Sequence, residues 1–443
     1  MPLNDAQGLA VSSTDVRSLA ALDAAMVLLQ ASRGDPEAVV AAALDRDPGF
    51  VMGHCARAAL RVLAGENTTD AKLKRATAAV FARAGSANDR ERRHAEAARA
   101  WLDGEVERAL LLYGDLLVDY PRDVLALHVA HALDFRLGRR EMLRDRIAQV
   151  LPHWDASVPG YGHVLAMHAF GLEENGDYVA AEAAARRALQ LAPDSAAATH
   201  VMAHVFEMQG RSREGIEWLQ STRNLWAASG YNAHNNWHLA LFWLDLEQAD
   251  KALAIYDRAL VPATDSATHA LIDASSLLWR LRLRGFDLGM RWSRLAYAWK
   301  SKALHGMRVF ALVHAAIAFA GAGHAWQTGR VLRLLRRHAR ADHAYADAAA
   351  TLGLALCVAL IAFCEGRYAE AVARLGAVRH MALHCGGSAA QCDIIHLTLV
   401  ESALRAQRAR LAHALVAERA ARKPRSRFND WLLARARGVP AAA

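Results

Sequence analysis

The sequence of 443 residues lacks the signatures of most familiar enzyme chemistries. There is no Walker loop, no GxGxxG after a strand and no GxSxG elbow, so phosphate-cradling, dinucleotide-binding and serine-hydrolase motifs drop out. HExxH is missing too. Cysteine is scarce: Cys55, Cys357, Cys364, Cys385 and Cys392. Their number is odd, their spacing wide and no CxxC occurs, which argues against a disulfide framework and against a structural zinc knot. The opening MPLNDAQGLAVSSTD has no charged stretch followed by an apolar core, so no secretory signal is expected. The apolar run Leu352 to Cys364 is too short to span a bilayer. A cytoplasmic location is the resulting expectation. Alternating β-branched runs are absent, so strand signal is nearly nil.

What is present is helical and well packed. Hydrophobic residues make up 54% and charged residues 22% of the chain, with alanine abundant, which sets it apart from disordered sequences. The length exceeds one ordinary core, so several domains or an extended repeat array are expected. The net charge of +8 is a mild excess over this length. Arg333, Arg336, Arg337 and Arg340 fall at helical spacing beside Leu332, Leu334 and Leu335 and read as a solvated outer face. No basic stripe interleaves with aromatics, so a nucleic-acid partner is not favoured.

Alanine and leucine recur at three- and four-residue spacing from Val16 onward, broken by short turns: Gly34 to Pro36, Arg46 to Pro48, Gly65 to Asp70 and Tyr120 to Asp123. Gly104 and Gly138 stand 34 residues apart, as do Gly176 and Gly210. That is the period of a tetratricopeptide helix hairpin, although other units stray from it. The predicted fold is all-α, a superhelical stack of such hairpins, closed more tightly than an open α-solenoid. Residues 1–15 read as a flexible leader, 16–406 as the repeat domain and 407–443 as capping helices with a fraying tail.

The helices that follow the Pro-Asp type breaks are expected to line the inner wall, and they carry the histidines. His94, His128, His131, His163, His168, His200, His204, His234, His238, His269 and His314 all fall on them. His200, His204 and Glu207 occupy i, i+4 and i+7, one stripe of a helix. His234 and His238 repeat the i, i+4 spacing on the next such helix. Neighbouring helices lie roughly 8–10 Å apart, so these side chains can meet. A polar group in an apolar wall is costly unless paired.

Any one of these histidines is most simply a core imidazole bonded to a local carbonyl. For the set, three sharper readings stand beside that one: two histidine pairs clamping a metal, a histidine–carboxylate acid–base pair, or a pocket holding a metabolite or peptide without chemistry. In a catalytic pocket His204 or His238 would be the base, Glu207 or Asp273 its orienting carboxylate, and Asn235 a donor to developing negative charge. A protein-binding scaffold is the rival of a different class. Gly386-Gly387-Ser388 reads as a helix N-cap, with an anion seat as its alternative. Trp237, between His234 and His238, is the tryptophan to watch.

Six stretches carry a resemblance: DPGFVMGHC (Asp47 to Cys55), THVMAHVFEM (Thr199 to Met208), AHNNWHLALF (Ala233 to Phe242), ALAIYD (Ala252 to Asp257), DASSLLWRL (Asp273 to Leu281) and CGGSAAQCD (Cys385 to Asp393). In them the chain resembles the tetratricopeptide repeat protein 38 family across most of its length. The resemblance implies a soluble helical-repeat fold and assigns no reaction. It picks out His54, His131, His200, His204, Glu207, His234, Asn235, Trp237, His238, Asp273, Gln391 and Asp393. His163, His168 and His269 do not match its motifs, and Cys392 stands where the family usually carries an arginine.

Overall fold

A computed structural model describes residues 3–64, 71–302, 304, 307–340 and 346–438. The expected Gly65 to Asp70 break and the fraying tail at 439–443 lie outside the described residues. The protein is all-α: consecutive helices joined by short turns pack on one another in chain order. The turns form where the residues dictate. Gly104, Gly138, Gly176 and Gly210 close helices at φ of 81°, 69°, 85° and 69°, a left-handed region glycine enters without a Cβ penalty. Asp35 and Asp123 open helices by accepting the backbone N–H groups of Ala38 and Ala126.

The chain divides into two compact units, Met1–Val201 with Leu225–Gly230, and Met202–Asn224 with Tyr231–Ala443. In the first unit, hairpins such as Asp89–Leu102 with Val106–Asp119 and Tyr161–Glu174 with Tyr178–Leu191 follow in sequence order. A Cβ on Gly171 would stand 2.4 Å from the Leu143 carbonyl oxygen, so only glycine lets Arg140–Val150 and Tyr161–Glu174 touch backbone to backbone. The expected leader is not loose. Leu3–Asn4 pairs with Ala10–Val11, and Asp5 accepts from the buried Arg90 at 2.8 Å.

The second unit departs from nearest-neighbour stacking. Helix Thr268–Leu283 packs against Asn232–Asp245, Val309–Gly321 and Ala389–Arg405, and is buried from Leu271 to Leu281. Trp279 donates its indole N–H to Thr398 at 2.8 Å. The last helices, Ala409–Arg422 and Arg427–Ala436, were expected as an end cap. They reach back 216 residues to Glu207 through Lys423 and 181 residues to Asp245 through Ser426. A linear array has contacts only between neighbours, so these bonds close the second unit on itself. Among the described residues no helix is long and apolar enough to cross a membrane. Arg333, Arg336, Arg337 and Arg340 are exposed, as a solvated face requires.

Candidate functional site

Residues of the second unit on three helices build the site. Ala196–Gln209 supplies His204, Asn232–Asp245 supplies His234 and His238 one turn apart, and Thr268–Leu283 supplies Asp273. His204 and His238 are fully buried, and Asp273 is 1% exposed. Only His234 keeps an edge at the surface, with 16% of its side chain accessible. The ring centroids of His204 and His238 are 4.6 Å apart, those of His234 and His238 4.8 Å, and those of His204 and His234 6.2 Å. One ring nitrogen of each lies within 4.8 Å of the others.

Asp273 orients the group. His234 Nδ1–H donates to Asp273 Oδ2 at 2.8 Å. The other carboxylate oxygen accepts from Gln391 Nε2 at 3.2 Å. Gln391 is fixed in turn: its Oε1 accepts from the Ser388 backbone N–H, and its own N–H is capped by the Ser388 hydroxyl. The Gly386-Gly387-Ser388 turn is therefore an N-cap, a capping box that opens helix Ala389–Arg405. A Cβ on Gly387 would meet the Phe310 ring at 2.4 Å, which accounts for that glycine.

Trp237 walls the site. Its ring stacks on His234 at 5.0 Å and meets His238 edge-on at 4.8 Å, and the Arg280 guanidinium lies 5.3 Å from its centroid. Arg280 is itself held by Ser276 and by the Ala390 carbonyl. Burial lowers it to about 10, so it stays charged at neutral pH. Asn235 is fully buried, and neither its amide N–H₂ nor its oxygen has a hydrogen-bond partner among the described residues. Leaving such a group unsatisfied costs about 1–3 kcal/mol, so it calls for a water or a ligand. His314 on Val309–Gly321 is a core imidazole: it donates to the Phe310 carbonyl at 2.8 Å, and burial lowers its pKa to about 4.

Other expected site residues are placed elsewhere. Glu207 accepts from Lys423 at 2.6 Å, and Asp393 pairs with Arg419. Burial would raise the Asp393 carboxyl, but Arg419 and Lys423 outweigh it and hold it well below the usual range. These four line, with Arg280 and Asp245, a cavity of about 40 Å³, room for a few waters and not for a metabolite. This is an ion-pair network that ties the C-terminal helices down. Arg419, Lys423, Arg280 and Asn429 were not foreseen from the residues. The signal was there in Arg280, a cation inside the apolar run Leu277 to Leu281.

His131 and His200 belong to the first unit. Both rings lie beside Phe170, at 6.0 and 6.1 Å. Burial lowers His131 to about 3, so it is neutral. His54 and His128 bond the carbonyls of Pro48 and Val124 on their own segments. His163 and His168 are depressed by burial, and His269 is exposed. No model of a known protein family matches the sequence.

Proposed function

We propose that this chain is a helical-repeat protein of the tetratricopeptide repeat protein 38 kind that holds a small molecule or short peptide at a histidine-rich pocket. The observation that carries the reading is the trio His204, His234 and His238, gathered from two helices and steadied through Asp273 and Gln391. Four of the six stretches behind the resemblance supply these five residues, although they lie far apart in the chain. The accessible edge of His234 is the side from which a ligand reaches the imidazoles. Five cysteines that form no disulfide fit a reducing, cytoplasmic setting.

The test is native mass spectrometry of purified protein. A retained small-molecule mass that disappears in the His204→Ala, His238→Ala double variant supports the reading, provided the variant keeps its helical circular dichroism. A wild-type protein that retains nothing from cell extract, or a variant that retains the same molecule, overturns it.

An acid–base enzyme is the second reading, favoured by one contact. The Asp273 carboxylate orients His234 as a general base is oriented, which moves that role from His204 or His238 to His234. Asp273→Asn then lowers turnover, once a substrate is known, more than it lowers binding.

A further inference from the structure

The centroid spacings within the trio bear on what can sit among the rings. At 4.6 to 4.8 Å, two of the three ring pairs are already in van der Waals contact. No organic molecule fits between them, so what they hold in common is bound at their ring nitrogens. We infer that His204, His234 and His238 hold one divalent transition-metal ion of the zinc class, an inference that rests on the pocket reading above and names what the imidazoles bind.

Three observations support it independently of each other. First, the donors that the second unit supplies are all ring nitrogens. Imidazole suits zinc and its neighbours, whereas magnesium and calcium call for oxygen ligands. Second, the spacing is close to what coordination needs. Zinc–nitrogen bonds of about 2.0–2.1 Å put tetrahedral donors roughly 3.4 Å apart. The three ring nitrogens lie within 4.8 Å, a gap that small side-chain rotations close. Third, the tautomer of His234 is set. Its Nδ1–H donates to Asp273, which puts the ring lone pair on Nε2, the nitrogen able to ligate a metal. A carboxylate bonded to the far nitrogen of a ligating histidine is the usual outer layer of such a site, and it raises ligand basicity. Here a further layer is present, since Gln391 holds the carboxylate and the Ser388 N-cap holds Gln391.

Zinc takes four ligands, and the second unit supplies three of them. The ion brings two positive charges close to Asp273, which lies in the outer layer, and the nearby Arg280 charge faces Asp393 and Glu207 as well as Asp273.

The experiment uses untagged, full-length protein stripped with a chelator and titrated with Zn²⁺ and, separately, Co²⁺. A single equivalent of Zn²⁺ is expected per chain. Co²⁺ is expected to give the visible ligand-field bands of a tetrahedral nitrogen site, bleached by added Zn²⁺. His204→Ala or His238→Ala removes both signals, and Asp273→Asn weakens Zn²⁺ binding by about 10- to 100-fold. The exposed His413→Ala leaves them unchanged. Absence of saturable uptake by the stripped wild-type chain overturns the inference without reference to any variant, and so does unchanged uptake by the His204→Ala, His238→Ala double variant. If stripped protein still retains a small molecule but takes up no Zn²⁺, the metal falls and the pocket stands. If it does neither, both fall.

Discussion

Each unit of this protein contains a histidine–aspartate pair at nearly the same distance, and the two do different work. In the first unit His94 Nε2 donates to Asp123 Oδ2 at 2.9 Å; in the second His234 Nδ1 donates to Asp273 Oδ2 at 2.8 Å. Asp123 also faces Arg90 at 3.3 Å and caps helix Val124–Arg136 through the Ala126 N–H. Burial would raise its carboxyl, but His94 and Arg90 win and keep it ionised far below the usual range. Asp273 sits inside a helix, caps nothing, and shares its second oxygen with the neutral Gln391. The Asp123 pair is thus a lock between elements. The Asp273 pair aims an imidazole at two others. The same bond reads as architecture or as a site according to what its partners are already engaged in.

The sharpest way to break that comparison is Asp123→Ala. It strands His94 in the interior and leaves the buried Arg90 with Asp5 alone, and the expected loss is about 3–5 kcal/mol in urea unfolding. A change under about 1 kcal/mol would deny the lock. Next in size is Arg419→Met, which removes the partner of Asp393 and of Asn429. About 3 kcal/mol is expected, read from the same transition.

Acid should act on both units. Burial lowers His128 to about 4, His131 to about 3 and His314 to about 4, all below the ordinary 6.5. Between those values and 6.5 the unfolded chain binds protons that the folded chain refuses. Their stabilisation is therefore complete above pH 6.5 and lost as pH falls. Each withdraws about 2 kcal/mol by pH 5. Urea midpoints that do not move between pH 7.5 and 5 would contradict this. The smallest stability effect is expected for Asp273→Asn, under about 1 kcal/mol, because an amide keeps the shape and no buried arginine depends on it for a direct bond. Equal losses from Asp273→Asn and Asp123→Ala would erase the distinction between the pairs.

A good part of this was legible from residues alone. The i, i+4 spacing of His234 and His238 and the stripe through His204 pointed to one wall, and the Ser388 cap was readable from its turn. Glu207 was equally well placed on that stripe, yet it bonds Lys423. Asp393 stands two residues from Gln391, but one pairs with Arg419 and the other with Asp273. Position on a helix tells which way a side chain points. It does not tell which distant group will be waiting there.

That division has a physical origin. Helix starts, glycine turns and the stripe of imidazoles depend on residues within a few positions of one another, where backbone geometry alone sets the contacts. From these the all-α fold and its hairpins follow. The pairing of His234 with Asp273 spans 39 residues, that of Gln391 with Asp273 spans 118, and that of Lys423 with Glu207 spans 216. Such partners are chosen by the packing of whole helices, a sum over many weak contacts, and only the folded chain decides them.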